Sequence, residues 1–252
     1  MTAAHLDAGP FHAGPFDAGI VTGIAAESRV VTRSLPAIDP TMQAHHLEGR
    51  LACAGANSLR AKACAVRLLG EGAGALVSFG IAGGLDPSLA PGRLLLPMSV
   101  RGEDAEIAID GAWRSRVESL LAEAGQAAVG GLHLGSATVI AGAGDKQDRF
   151  RASGASAVDM ESHAVAAVAA EAKVPLLILR AVADPAERSL PRLVIGGIGP
   201  DGEPRNGLIA ARLCLQPWRL RDLLRLREDT RQALRALAEA ARVIGPALFG
   251  RL

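Results

Sequence analysis

Three acidic residues follow apolar segments at widely separated points of this 252-residue chain. Glu27 comes shortly after the run Gly19–Thr22, and Glu161 lies in the motif Val158-Asp159-Met160-Glu161-Ser162-His163. Asp184 ends a third apolar stretch, just before a proline. Carboxyl groups can transfer protons at a reacting atom and can stabilise a developing positive charge. These three side chains are therefore candidates for catalysis or ligand binding.

The segments that carry these acids alternate short apolar runs with helical patterns. This alternation predicts one α/β domain, with helices flanking a mixed, mostly parallel, twisted sheet. Ligands of such sheets bind beyond the carboxyl ends of strands, where the three acids, Val139 and the glycine-rich run Gly80–Gly84 all fall. The predicted strands are 19–22, 45–53 with a turn at 48–50, 75–79, 93–100, 131–140 and 176–182. The predicted helices begin near 27, span 58–69, 113–124, 146–152 and 161–173, and continue from 206 almost to the end.

The composition narrows the classes of partner and cofactor. Basic residues number 27 and acidic residues 26, so no overall positive field attracts nucleic acid and a small molecule is the expected ligand. Cys53, Cys64 and Cys214 have neither disulfide nor zinc spacing, which predicts a reducing, cytoplasmic location with no metal and no cofactor. No apolar run is long enough to cross a membrane. We expect residues 1–18 to be a flexible leader and residues 19–252 to form the domain, with a helical tail from about 206.

Each acid also has a simpler structural interpretation. Asp184 would suit a cap of the turn before Pro185, and Glu161 and Glu27 would suit the positive end of a helix dipole. A glycine-rich run after a strand lets the backbone approach a ligand, but it is a weak signal alone. Met160 taken alone is typical of a core residue.

Three motifs resemble the purine nucleoside phosphorylase and methylthioadenosine/adenosylhomocysteine nucleosidase superfamily over residues 19 to 190. Ala157–Val165 is similar to that superfamily's Val-Glu-Met-Glu-Ala segment, and Arg180–Asp184 to its Arg-Ala-Ile-Ser-Asp segment. Ser78–Leu85 is similar to its Gly-Ser-Ala-Gly-Gly-Leu loop. Within the superfamily, Val158–His163 and Ile198–Gly202 most resemble the hopanoid-associated phosphorylases, which are linked to the removal of adenine from adenosylhopane.

The resemblance implies a role for each candidate. Asp184 would protonate the departing purine and favour a 6-amino purine, because its carboxyl group can accept a hydrogen bond from the amino group. Glu161 would accept hydrogen bonds from the ribose 2′ and 3′ hydroxyls, and Glu27 would activate water. Substrate would also contact Met160, Val139 and the loop, while Asp159 would have only a supporting role. The loop residues concerned are Gly80, Ile81, Ala82 and Gly83.

The signals for the nucleophile conflict, and we expect phosphorolysis, with hydrolysis as the alternative. Ile81 replaces the serine common in this loop, and the segment from Gly23 lacks the Gly-Asp-Pro-x-Arg phosphate motif, which favours water. The subfamily resemblance favours inorganic phosphate as co-substrate. Its candidate ligands are Arg29, Asn57 and Ser58, although Ser58 also fits a helix N-cap. Arg60 is interpreted as a surface charge, and His163 as either a helix histidine or a pocket wall.

The sequence also bears on the C-terminal tail, the 5′ pocket and the oligomeric state. Pro217–Arg227 mixes four arginines with leucine and tryptophan. A packed helix is favoured there over contact with an anionic membrane, because the polar and apolar faces are poorly separated. The loop Pro185–Arg205 is the expected apolar exit for a bulky 5′ substituent. The resemblance implies a homodimer or larger homo-oligomer. The alternatives are a methylthioadenosine/adenosylhomocysteine nucleosidase, a general purine nucleoside phosphorylase and a nucleoside-binding module without turnover.

Overall fold

The computed structural model describes residues 18–38, 49–103 and 105–249. Its strands are β1 Ala18–Thr22, β2 Leu51–Cys53, β3 Ala75–Gly84, β4 Leu94–Leu95, β5 Ser99–Arg101, β6 Glu106–Ala108, β7 Leu132–Gly135, β8 Ala157–Asp159 and β9 Leu176–Asp184. Its α-helices are α1 Ala25–Ile38, α2 Ser58–Gly70, α3 Gly111–Glu123, α4 Ala143–Ser153, α5 Ser162–Ala172, α6 Asn206–Leu215 and α7 Leu220–Ile244. Short 3-10 turns cover Arg192–Val194, Pro217–Arg219 and Gly245–Phe249.

The described strands form one mixed, mostly parallel sheet in the order β2-β1-β3-β8-β7-β5-β6, with β9 paired to both β3 and β4. The long central strands β3 and β9 run parallel, and their register shifts at Ala82 and Gly83. The carboxyl ends of the parallel strands β1, β3 and β9 lie on the same side of the sheet, and the antiparallel β8 pairs with β3 at Gly83 and Gly84. This arrangement brings together the segments that carry the candidate residues. The predicted α/β class is confirmed.

The core lies on both faces of the sheet and is built mainly from small aliphatic residues. On one face, α7 and α3 pack on β3 and β9, and the Trp113 indole donates to the Ala247 carbonyl at 2.6 Å. On the other face, α2 and α5 cover the sheet with alanines, so the helices can approach it closely. Among the described helices, none is long and apolar enough to cross a membrane.

Most predicted elements are found, and the differences have local causes. The glycine run was predicted to follow a strand ending at Phe79, but β3 continues to Gly84 because β8 and β9 pair with it there. The predicted strand 93–100 is divided into β4 and β5, which pair with different strands, and the predicted strand 131–140 is shorter. β6 and β8 were missed because three-residue strands give little periodic signal. Ala18 belongs to β1, and the rest of the predicted leader, like residues 45–48, lies outside the described residues.

We expect Gly19→Ala to destabilise the fold, because α2 rests directly on β1. A Cβ at Gly19 would lie 2.8 Å from the Leu68 Cβ and 3.2 Å from the Ala73 Cβ. Overpacking of this kind costs about 1–3 kcal/mol, which a urea unfolding midpoint would report. Gly144→Ala in α4 is the control, since a Cβ there meets no atom within 4 Å. Equal midpoints for the two variants would contradict the packing described.

Candidate active site

Glu27 is buried in the first turn of α1 and is held by backbone donors from two strand ends. Its Oε2 accepts from the Gly23 and Ile24 amides at 2.6 and 2.9 Å, and its Oε1 accepts from the Ile81 amide at 2.8 Å. The side chain is therefore part of the junction between β1 and β3. Burial raises the pKa of Glu27, while the charge of Arg180 and the three amides act in the opposite direction. This is a carboxyl group poised to take up a proton.

A fully buried arginine, Arg180 on β9, connects the acids of the site. Its Nε lies 2.8 Å from the Asp159 carboxylate, and its Nη2 lies 3.5 Å from Glu161 Oε2. The same Nη2 donates to the hydroxyls of Ser78 at 2.6 Å and Ser162 at 3.1 Å. A buried guanidinium requires such compensation, because an unpaired charge in the interior costs several kcal/mol.

Asp159 is engaged by the protein itself. One oxygen accepts from the Glu161 and Ser162 amides, and the other meets Arg180, the Ser162 hydroxyl and the His133 Nε2 at 2.9 Å. Burial tends to raise the pKa of Asp159, but the charges of Arg180 and His133 outweigh it and hold the pKa well below its usual range. This carboxylate contacts Arg180 and the first amides of α5, and its predicted supporting role stays a prediction.

Glu161 sits at the cap of α5, with its side chain almost fully buried. Burial, reinforced by the neighbouring Asp159 and Glu27 carboxylates and opposed by Arg180, raises the pKa of Glu161 to about 8. Two glycines make this crowding feasible. A Cβ at Gly23 would lie 3.0 Å from the Glu161 carboxyl carbon, and one at Gly80 would lie 2.5 Å from the Glu27 carboxyl carbon.

Asp184 ends β9 and pairs with a lysine. The Lys146 ammonium, on α4 and fully buried, donates to Asp184 Oδ2 at 2.5 Å and to the Pro185 and Arg188 carbonyls at 3.0 and 2.9 Å. Burial raises the pKa of Asp184 against the pull of Lys146, and burial lowers the pKa of Lys146. Because Lys146 engages Oδ2, the other oxygen of Asp184 is left for a ligand.

A cavity of about 1140 Å³ connects these groups. Glu27, Glu161 and Asp184 line it together with Met160 and Val139. Its wall away from the acids comes from α1, the 185–205 loop, α6 and α7. This wall combines arginines of α1 and α7 with a band of aliphatic side chains, namely Leu190, Val194, Ile198, Ile209, Leu223 and Leu226. Pockets for drug-sized ligands commonly measure about 300–1,000 Å³. The space therefore exceeds what a nucleoside alone would fill.

The remaining predicted residues divide into two groups. Ile81, Ala82, Gly83 and Arg29 line the cavity, although Arg29 is paired with Glu203 at 2.5 Å. Asn57 and Ser58 are not among the lining residues, and the Asn57 side chain caps α2 by accepting from the Arg60 amide. The phosphate-binding role predicted for Asn57 and Ser58 stays a prediction.

Two further predicted residues lie behind the cavity wall. Gly80 is one of them, and its place beside Glu27 explains why no side chain is tolerated there. The other is His163, which packs on Gly102 and Gly135 and is absent from the lining, so it is not a wall of this cavity. Arg60 donates to the Ala54 and Gly55 carbonyls, so it is tied to the loop instead of being a free surface charge.

Sequence reasoning gave no role to Arg180, Lys146 or His133. Arg180 stood inside a recognised motif, and a basic residue in an otherwise apolar strand was a signal that could have identified it. Lys146 belongs to none of the three sequence motifs and lies on a polar helix. Only its tertiary contact with Asp184 therefore distinguishes it from a surface lysine. His133 likewise becomes informative only through its contact with Asp159.

Comparison with known proteins places this fold and site. The family model of the phosphorylase superfamily matches residues 41–194, which is more than half of the chain, and the chain therefore belongs to this superfamily. It is an enzyme of the nucleoside phosphorylase and nucleosidase class. A search of curated proteins gave no match.

Similar solved structures share the fold at low sequence identity. A methylthioadenosine/adenosylhomocysteine nucleosidase from Colwellia psychrerythraea in complex with adenine is 17% identical, with TM-score 0.67 and 95% and 98% of the two chains covered. The nucleosidase of the same name from Neisseria meningitidis, with methylthio-immucillin-A, is also 17% identical, with TM-score 0.65 and 90% and 97% covered. Futalosine hydrolase of Helicobacter pylori is 16% identical, with TM-score 0.63 and 90% and 97% covered.

The pKa of Glu161 predicts a pH dependence. If its carboxylate is the active form, kcat/KM for nucleoside cleavage should increase as pH rises towards about 8, because the carboxylate fraction in the free enzyme grows over that range. Glu161→Gln should be slow and should lack this rise. A rise that persists in the Gln variant would assign it to another group.

Lys146→Met should change how Asp184 titrates. Without the ammonium, which lowers the pKa of Asp184, that pKa should be higher still, so the decline of kcat/KM at alkaline pH should move to higher pH. Lys146→Arg retains the charge and should retain the position of the decline. A merely structural lysine would lower kcat/KM at every pH in the Met variant and leave the profile's position unchanged.

Proposed function

We propose that the enzyme cleaves the N-glycosidic bond of an adenosine that carries a large apolar 5′ substituent, and releases adenine. The resemblance noted in the sequence indicates adenosylhopane as that substrate, in hopanoid biosynthesis. The observation that carries the proposal is the placement of Glu161 and Glu27 with Arg180, and of Asp184 with Lys146, along one cavity whose far wall carries a band of aliphatic side chains.

Glu161 is suited to the ribose. Cleavage passes through a sugar with oxocarbenium character, so a carboxylate that binds the ribose hydroxyls stabilises the transition state more than the ground state. Burial makes the ionised form of Glu161 costly in the free enzyme. A developing positive charge on the sugar would offset that cost. The positive charge of Arg180, 3.5 Å from Glu161, also reduces the cost of ionising Glu161.

Asp184 is suited to the adenine. Departure of the base requires that its developing negative charge be neutralised, and a buried carboxyl group with a raised pKa can supply a proton at near-neutral pH. Lys146 fixes one oxygen of this carboxyl group, so the other can be directed at the purine. Asp184 also supports the choice of a 6-amino purine, because it can accept a hydrogen bond from the amino group.

Water is the nucleophile that the geometry supports better. Three backbone amides hold the Glu27 carboxyl group where β1 and β3 meet, and the raised pKa of Glu27 suits a general base. Of the predicted phosphate ligands, Arg29 is engaged by Glu203 and Asn57 by its own helix. Phosphorolysis, which the subfamily resemblance favours, is the alternative.

The cavity separates the proposal from a methylthioadenosine/adenosylhomocysteine nucleosidase, which would share the three acids. A short 5′ group would leave the wall formed by Ile209, Leu223 and Leu226 uncontacted. A long apolar group would bury that wall at about 25 cal/mol for each Å² removed from water. The aliphatic side chains of the wall therefore favour a substrate with a bulky apolar 5′ substituent over one with a short 5′ group.

Adenine release from methylthioadenosine and from a long-chain 5′-alkylthioadenosine, each with and without phosphate, tests the proposal. We expect kcat/KM to be higher for the long-chain substrate, rates to be independent of phosphate, and mass spectrometry to detect the free sugar. Glu27→Gln should lower kcat by about 10²-fold or more. A phosphorylated sugar formed only with phosphate would establish phosphorolysis, and no adenine from either substrate would refute the proposal.

Two neighbouring leucines provide a matched control for the 5′ pocket. Leu226→Asp places a charge in the cavity wall and should lower kcat/KM for the long-chain substrate while sparing methylthioadenosine. Leu224→Asp makes the same change on an exposed side chain outside the lining and should affect neither substrate. Equal losses in both variants would show that the aliphatic wall does not bind the 5′ group.

A further inference from the structure

The segment Arg205–Arg227, which we call the C-terminal arm, carries apolar side chains that the described protein does not cover. The arm consists of α6, the 3-10 turn at Pro217–Arg219 and the first two turns of α7. Seven of the ten residues of α6 are apolar, yet none of its residues is buried. A helix of this composition normally buries a face, so the arm requires an apolar partner.

The exposed apolar side chains of the chain are concentrated in this arm. Ten large hydrophobic residues are exposed in the described part of the chain, and half of them lie between residues 208 and 224. Leu215 is 77% exposed and Trp218 is 69% exposed. Spacings of seven and four residues place these side chains on one face of each helix. The five residues are Leu208, Leu215, Trp218, Leu220 and Leu224.

The arm is also strongly basic. It contains six arginines and one aspartate, a net charge of +5, whereas the whole chain has a net charge of only +1. Arg221 and Arg225 are exposed beside Leu220 and Leu224 on α7. Arginines that border exposed leucine and tryptophan are typical of a helix lying at the surface of an anionic bilayer.

The arm borders the cavity on its inner side. Ile209, Leu223 and Leu226 line the cavity, while Leu220 and Leu224 of the same helical turns are exposed to solvent. We propose that the C-terminal arm docks on an anionic lipid bilayer and that the apolar part of a membrane-held substrate enters the cavity beside it. The second clause rests on the proposed function, whereas the docking rests on the surface of the arm alone.

A second copy of the chain fits this surface less well. A two-fold contact of the arm with itself would bring together two segments that each have a net charge of +5, and like charges across an interface are unfavourable. An anionic bilayer complements both properties of the arm, because it accepts the apolar side chains and attracts the arginines.

Sedimentation of the full-length enzyme with vesicles tests the docking. We expect binding to vesicles that contain phosphatidylcholine and phosphatidylglycerol, little binding to phosphatidylcholine alone, and weaker binding at higher salt. Arg221→Glu with Arg225→Glu should lower the partition coefficient about 30-fold or more, since each arginine near such a surface contributes on the order of 1 kcal/mol. Trp218→Ser with Leu220→Ser should lower it about tenfold or more through lost apolar burial.

The matched control reverses two exposed arginines on other helices, Arg116→Glu with Arg149→Glu, and should retain most of the binding. Absence of binding by the unaltered enzyme, or equal losses in the arm and control pairs, would overturn the proposal. So would an arm variant that changes the oligomeric state in analytical ultracentrifugation but not the vesicle binding. Adenine release from soluble methylthioadenosine should be unchanged in every variant. Vesicle binding without any adenine release would refute the proposed function and leave the docking intact.

Discussion

The buried guanidinium of Arg180 is the interaction on which the rest of the site depends. Glu161, Asp159 and Glu27 all experience its charge, and two of the three have raised pKa values despite it. Without that positive charge, three carboxyl groups could not share so small a volume, because like charges in a poorly solvated interior repel strongly. The arginine thus makes a dense acidic site compatible with a folded core.

The acids around Arg180 have different roles because their surroundings differ. Asp159 receives the hydrogen bonds of His133, Ser162 and two amides, which stabilise its ionised form. Glu161 has a more distant contact with the guanidinium and two neighbouring carboxylates, which favour its protonated form. One stays charged and holds the framework, and the other is free to respond to a cationic ligand. Burial and hydrogen bonding, not residue type, give the two carboxyl groups opposite pKa shifts.

The Lys146–Asp184 pair and the cavity wall also come from separate parts of the structure. Lys146 gives all of its donor capacity to Asp184 and two carbonyls, so the ammonium is a fixed part of the structure. The aliphatic wall contributed by α6 and α7 belongs to the C-terminal part of the chain, beyond the residues matched by the family model. The buried acids and the aliphatic part of the cavity wall thus come from different segments of the chain.

The sequence by itself determined the fold class and the candidate acids. Strand and helix periods alternate strongly in the segments that build β1, β3, β9, α2 and α5, and the carboxyl ends of such strands carry the ligand sites of α/β sheets. Glu27, Glu161 and Asp184 could therefore be selected before any contact was known. The short strands β6 and β8 could not, because three residues carry too little pattern.

Only the tertiary structure decided which side chains pair with each other and which are buried. Lys146 lies 38 positions from Asp184 along the chain, and His133 lies 26 from Asp159, so no local pattern records either pair. Asn57 looks the same in sequence whether it binds an anion or caps a helix, and only its contact with the Arg60 amide distinguishes the two. The exposure of the C-terminal arm is likewise decided by packing, since an apolar helix has the same sequence whether its face is covered or left for a partner. Local propensity depends on neighbours in sequence, whereas burial and charge pairing depend on neighbours in space.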